Sequence, residues 1–136
     1  MKRVIPARRR AARPVPPEDV EQANLIRWCK QAEIIYPELA RIFHIPNGGL
    51  RNRIVAAKLV GQGVKAGVLD LFLPVPIYGW HGLWIEMKSL TGRPSAEQKD
   101  WARFLAGQGY AVAVCHGADV ARDVIVAYME GRFQPK

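Results

Sequence analysis

Apolar residues recur along this chain with two periods, and the switch between them marks its elements. Leu25, Trp28 and Ala32 share one stripe at helical spacing, with Cys29 beside it, inside a segment bounded by Pro17 and Pro37. This predicts a helix from about Glu18 to Glu33. Pro14, Pro16 and Pro17 suit its opening, and Glu18 and Asp19 lie near the positive end of its dipole. Arg41–Pro46 reads as a short strand, Asn47-Gly48-Gly49 as a turn, and Arg51–Val60 as a helix closed by Gly61 or Gly63. Val68–Leu73 and Leu83–Lys88 are strand candidates, separated by Pro74, Pro76, Gly79 and Gly82 as in a hairpin with a loop of several residues. Ser95 opens a helix running to about Ala106. Tyr110–Cys115 reads as a strand, and Ala118–Glu130 as a last amphipathic helix. Strand, helix, strand over residues 83–115 implies a parallel pair joined by a right-handed crossover. The expected fold is α/β: a mixed β-sheet core flanked by helices.

Three positions break this pattern in a way that needs chemistry. Asp70 interrupts an otherwise apolar strand, and Glu86 and Lys88 lie two apart on the next, so their side chains leave the same face. In an antiparallel hairpin Asp70 comes opposite them. Two carboxylates aimed one way near a core repel unless a positive charge lies between them, and hard oxygen ligands suit Mg²⁺ or Mn²⁺. Such a cation lowers the pKa of a water that can attack phosphorus and offsets charge on phosphoryl oxygens. Lys88 could orient or help deprotonate that water, or hold developing negative charge, and a nearby cation should lower its pKa. Glu21, four residues before Leu25 and seven before Trp28, falls on the inward stripe of the first helix and needs a partner there. Gln98 has a competing explanation, since Ser95 with Gln98 forms a capping box. His44, beside the turn, reads as a packed or hydrogen-bonded histidine, and Trp80 and Trp84 as core or edge residues.

Charge changes the picture less than its total suggests. The net charge is +8, but Lys2, Arg3, Arg8, Arg9, Arg10 and Arg13 all precede residue 18, leaving 14 basic and 12 acidic residues for the rest. Residues 1–17 read as a flexible basic arm able to contact phosphates, and residues 18–136 as the folded domain. Arg51 and Arg53, following the glycine turn at Asn47, could approach a phosphate backbone as well. No apolar run reaches the roughly 20 residues of a membrane span, and no apolar segment follows the basic N-terminus as in a secretory signal. The expectation is a cytoplasmic protein with Cys29 and Cys115 reduced and buried.

The ordered motifs Asn47-Gly48-Gly49, Gly63-x-x-x-Gly67-Val68-x-Asp70-Leu71, Glu86-Met87-Lys88, Gly92-x-x-Ser95-x-x-Gln98 and Gly109-Tyr110 resemble the VRR-NUC domain, a branch of the PD-(D/E)XK nuclease superfamily. The resemblance covers about residues 18–117. It implies a restriction-endonuclease-like fold and Mg²⁺-dependent DNA cleavage, with Mn²⁺ as a substitute. It also implies metal ligation by Asp70, Glu86, the Met87 carbonyl and Glu21, with Lys88 as catalytic lysine and Gln98 supporting it. Two departures stand out: Leu69 replaces the proline before the aspartate, and Val114-Cys115-His116 lacks the arginines of the family's name motif. The chain looks like the stand-alone phage or bacterial type, which resembles homodimeric enzymes acting on branched DNA such as Holliday junctions. A phage-encoded copy would work in the bacterial host's cytoplasm. The alternative is a module of the same fold that holds nucleic acid without cutting it.

Overall fold

The computed structural model describes residues 12–46 and 53–136. Helix α1 spans Glu18–Ala32, followed by a short 3₁₀ helix at Pro37–Arg41 and strand β1 at Phe43–His44. Then come α2 (Arg53–Gly61), β2 (Leu71–Leu73), β3 (Leu83–Lys88), α3 (Ala96–Gly107), β4 (Ala111–His116) and α4 (Ala118–Met129). The sheet order is β1-β2-β3-β4, with β1–β2 and β2–β3 antiparallel and β3–β4 parallel. The mixed sheet and the parallel crossover through α3 agree with the reading from periodicity.

Two predicted strands are shorter than expected. The segment read as a strand from Arg41 gives up its start to the 3₁₀ helix, and only Phe43 and His44 pair with β2. Val68 to Asp70 precede β2 rather than belonging to it. The β2–β3 connection narrows to a tight turn where Ile77 and Trp80 exchange backbone hydrogen bonds around Tyr78 and Gly79, both with positive φ. That is the dihedral signature of a two-residue hairpin turn.

The pleat of β3 divides its side chains. Leu83, Ile85 and Met87 join Leu25 and Cys29 of α1 and Ala121, Ile125 and Tyr128 of α4 in the core. Burying a leucine- or isoleucine-sized side chain contributes about 1.5–3 kcal/mol, so this face holds the helices to the sheet. On the opposite face Trp84 stacks on Phe72 with ring centroids 4.3 Å apart, while Trp80 packs at the margin of the core itself, edge-on to Phe133. Both indoles are thus engaged in packing. Cys29 and Cys115 are buried free thiols.

Close approach at one glycine sets the height of Asp70. Gly67 has φ +84°, and a Cβ there would lie 2.5 Å from Glu97 Cβ and 2.7 Å from its carbonyl carbon. The segment entering β2 therefore passes against the first turn of α3, as only glycine permits. Trp101 of α3 ties the same segment down by donating from Nε1 to the Ala66 carbonyl.

Candidate metal centre

Continuing the β2–β3 register by one residue brings Asp70 across from Glu86. Both are buried, as is Lys88, and Glu86 has no exposed surface. Asp70 Oδ2 accepts a 2.8 Å hydrogen bond from the Met87 backbone N–H, which locks the aspartate against β3. Glu18, at the start of α1, completes the group: one carboxylate oxygen from each of Glu18, Asp70 and Glu86 lies within 4.8 Å of the others. Lys88 Nζ sits 3.2 Å from both Glu86 Oε1 and Glu18 Oε2.

The electrostatics follow from this crowding. Burial, then the charge of Asp70, push Glu86 up to about 8 against the opposing pull of Lys88. Burial alone would lower Lys88, but Glu86 and then Glu18 outweigh it, so the ammonium is held more firmly than usual. The pair of carboxylates bonded to the ammonium is the cause in the metal-free protein. Among the described residues Glu86 Oε2 is buried without a hydrogen-bond partner. A buried carboxylate oxygen left bare is costly, and a divalent cation among three carboxylates would satisfy it. The donor set, all hard oxygen, fits such an ion.

Gln98 closes the capping box and reaches the centre at the same time. Its Oε1 accepts from the Ser95 N–H at 2.8 Å, while its backbone N–H donates to Ser95 Oγ, closing the capping box. Its Nε2 simultaneously donates to Glu86 Oε1 at 2.8 Å. An amide is suited to this because one end accepts and the other donates.

Glu21 is placed elsewhere. Its Oε2 accepts a 2.6 Å hydrogen bond from the Ala118 N–H, at the first turn of α4. That helix starts after Gly117, which has no side chain to cap it. Glu21 does find an inward partner, but the partner is a helix terminus, and the acid joining Asp70 and Glu86 is Glu18. Glu18 lies seven residues before Leu25 and shares its helical phase. Periodicity gives an angle about the helix axis and not the height of the neighbouring element along it. His44, read as a hydrogen-bonded histidine, pairs through Nδ1 with the Asp70 carbonyl at 2.8 Å. Arg53 is exposed at the start of α2. Arg8, Arg9, Arg10, Asn47 and Arg51 lie outside the described residues.

The family model for the VRR-NUC domain matches residues 17–119, which include every member of this centre. The chain belongs to the VRR-NUC family. A solved VRR_NUC domain protein aligns with it at a TM-score of 0.74 and 31% sequence identity, over 89% of this chain and 95% of the other. Among curated proteins, none matches the chain. VRR-NUC membership makes this a nuclease-family domain and implies DNA as the substrate. No helix among the described residues is long and apolar enough to cross a membrane.

Proposed function

We propose that the protein is a Mg²⁺-dependent DNA endonuclease, with Mn²⁺ able to substitute, selective for branched DNA such as Holliday junctions and active as a homodimer. The observation that supports catalysis best is the bare, buried Glu86 Oε2 in a cluster with Glu18 and Asp70, beside the ammonium of Lys88. Glu18, Asp70 and Glu86 would hold the cation, with the Met87 carbonyl as a further oxygen donor. When bound, the ion lowers the pKa of water and offsets charge on the phosphoryl oxygens.

The protein's own groups do the rest. The Met87 N–H and the Gln98 amide each engage one oxygen of Asp70 and Glu86, so both carboxylates are oriented before any ligand arrives. Orientation of this kind removes reorganisation from the chemical step. Lys88 orients the attacking water and stabilises negative charge as its oxygen bonds to phosphorus and the bond to the leaving sugar oxygen breaks. Two copies about a two-fold axis would present two such centres and cut paired strands symmetrically.

The test is incubation with flap, fork, four-way junction, single-stranded and linear duplex DNA, with and without Mg²⁺ or Mn²⁺. Metal-dependent cleavage that favours the junction is expected, and Lys88→Ala should abolish it without unfolding the protein. Wild-type rates from Lys88→Ala would refute the assignment of that residue. Junction binding with no metal-dependent product would favour the non-catalytic module.

A further inference from the structure

A groove of about 530 Å³ opens beside the metal centre, between α1 and the β1–β2 edge of the sheet. Glu18 and Asp70 line it together with Arg27, Lys30 and His44. Arg27 and Lys30 are exposed and take no part in any ion pair among the described residues. Arg27 Nη1 donates to Asn24 Oδ1 at 3.1 Å, a contact that directs the guanidinium without neutralising it. Lys30 occupies the last turn of α1, where the helix dipole favours a cation. His44 is pinned to the wall by the Asp70 carbonyl, and because a carbonyl only accepts, its Nδ1 carries the proton. Asp19 also contributes to the wall, so the groove is acidic towards the start of α1 and basic towards its end.

We infer that this groove is the track for one arm of the DNA substrate, with Arg27 and Lys30 as contacts to backbone phosphates flanking the cut. The inference rests on the nuclease reading above and adds the path of the substrate across the domain, independent of the basic arm. The spacing follows from the helix. Nine and twelve residues separate Glu18 from Arg27 and Lys30, or roughly 13 and 18 Å at 1.5 Å per residue. Phosphates of a duplex strand advance about 3.4 Å along the axis per step. With the DNA axis lying along α1, the two cations meet phosphates about four and five steps from the one at the metal centre. The polarity suits the substrate: carboxylates gather where a cation must sit, and unpaired cations stand where only phosphate charge needs an answer.

The experiment compares the full chain with its Arg27→Ala/Lys30→Ala variant. Binding to a fluorescein-labelled four-way junction and to a linear duplex is followed by anisotropy in EDTA across a salt series. Removing two phosphate contacts should reduce the log–log salt slope by about 1.8 and weaken binding roughly tenfold to hundredfold near 0.1 M salt. The melting shift produced by Mg²⁺ should stay at the wild-type value, and cleavage should show a raised KM with kcat retained. Arg27→Lys/Lys30→Arg should restore binding. A neutral methylphosphonate at the fourth or fifth phosphate from the cut should weaken the wild type and leave the alanine variant unaffected. Unchanged slope and affinity in the alanine variant, with the wild type still cleaving, would overturn the track and leave the nuclease reading intact. A wild type that neither binds nor cuts DNA would overturn both.

Discussion

Exchanging the roles of Glu18 and Glu21 is the sharpest test of the site's geometry. Glu21→Ala removes the acceptor at the first turn of α4, where Gly117 supplies no cap. Losing a cap costs about 0.5–2 kcal/mol, and a carboxylate at a partly buried helix N-terminus contributes up to about 2 kcal/mol. Because one interaction serves both purposes, the figures overlap, and a loss of about 1–2 kcal/mol is expected. At roughly 3–5 °C per kcal/mol for a domain of this size, the melting midpoint should fall about 3–10 °C. Glu18→Ala should do the reverse. Its ion pair with Lys88 is partly exposed and stabilises the fold by less than about 1 kcal/mol. Cation binding, however, should weaken at least tenfold or so, since even the groups supporting metal ligands typically matter by about 10–100-fold. Urea titrations give the stabilities, and Mn²⁺ binding followed by electron paramagnetic resonance gives the affinities. If Glu21→Ala weakened Mn²⁺ binding while Glu18→Ala left it intact, the assignment would be refuted.

Three further outcomes follow from the same structure. Glu86 keeps its proton to about 8 in the fold, whereas an unfolded glutamate loses it near 4.5. Between those values the folded state binds more protons, so metal-free stability should fall by a few kcal/mol as pH rises through that window, then level off. Urea melts at several pH values would show this, saturating Mg²⁺ should flatten the profile, and stability rising across the window without metal would contradict it. Gln98→Ala should cost about 1–2 kcal/mol in urea melts and slow cleavage, while Gln98→Glu, which can still accept from Ser95 but sets a carboxylate against Glu86, should restore part of the stability without the activity. Burial raises Cys29 to about 11 and Cys115 to about 12, so both thiols should resist a thiol-reactive dye at pH 8 until denaturant is added, and rapid native labelling would contradict their burial.

Much of this fold was legible in the chain because its elements obey simple periods. The alternation of Leu83, Ile85 and Met87 with Trp84, Glu86 and Lys88 bounded β3 correctly and put the acid and lysine on one face. What alternation and helical phase cannot convey is position along an axis or the demands of a neighbour. Glu18 had a sufficient local explanation as a dipole partner, and nothing local distinguished it from a member of the centre. Gln98 offered two explanations that looked like rivals until the structure placed Ser95 and Glu86 at opposite ends of one amide. Nothing in the sequence singled out Arg27 and Lys30, since the wall across the groove belongs to segments far away along the chain.

The Glu21–Ala118 hydrogen bond joins the first helix to the last across 97 positions. Glu18, one turn from Glu21, is therefore held in place by a segment the ribosome delivers long afterwards. At about 5–20 residues per second, that delay is roughly 5–20 s. For the last 30 or so residues of it, roughly 1.5–6 s at the same rate, a growing chain holds Glu18, Asp70, Glu86 and Lys88 in order but lacks the latch that seats the first of them. Seating of Glu18 is thus timed by the arrival of α4, which separates making these residues from assembling the centre they form.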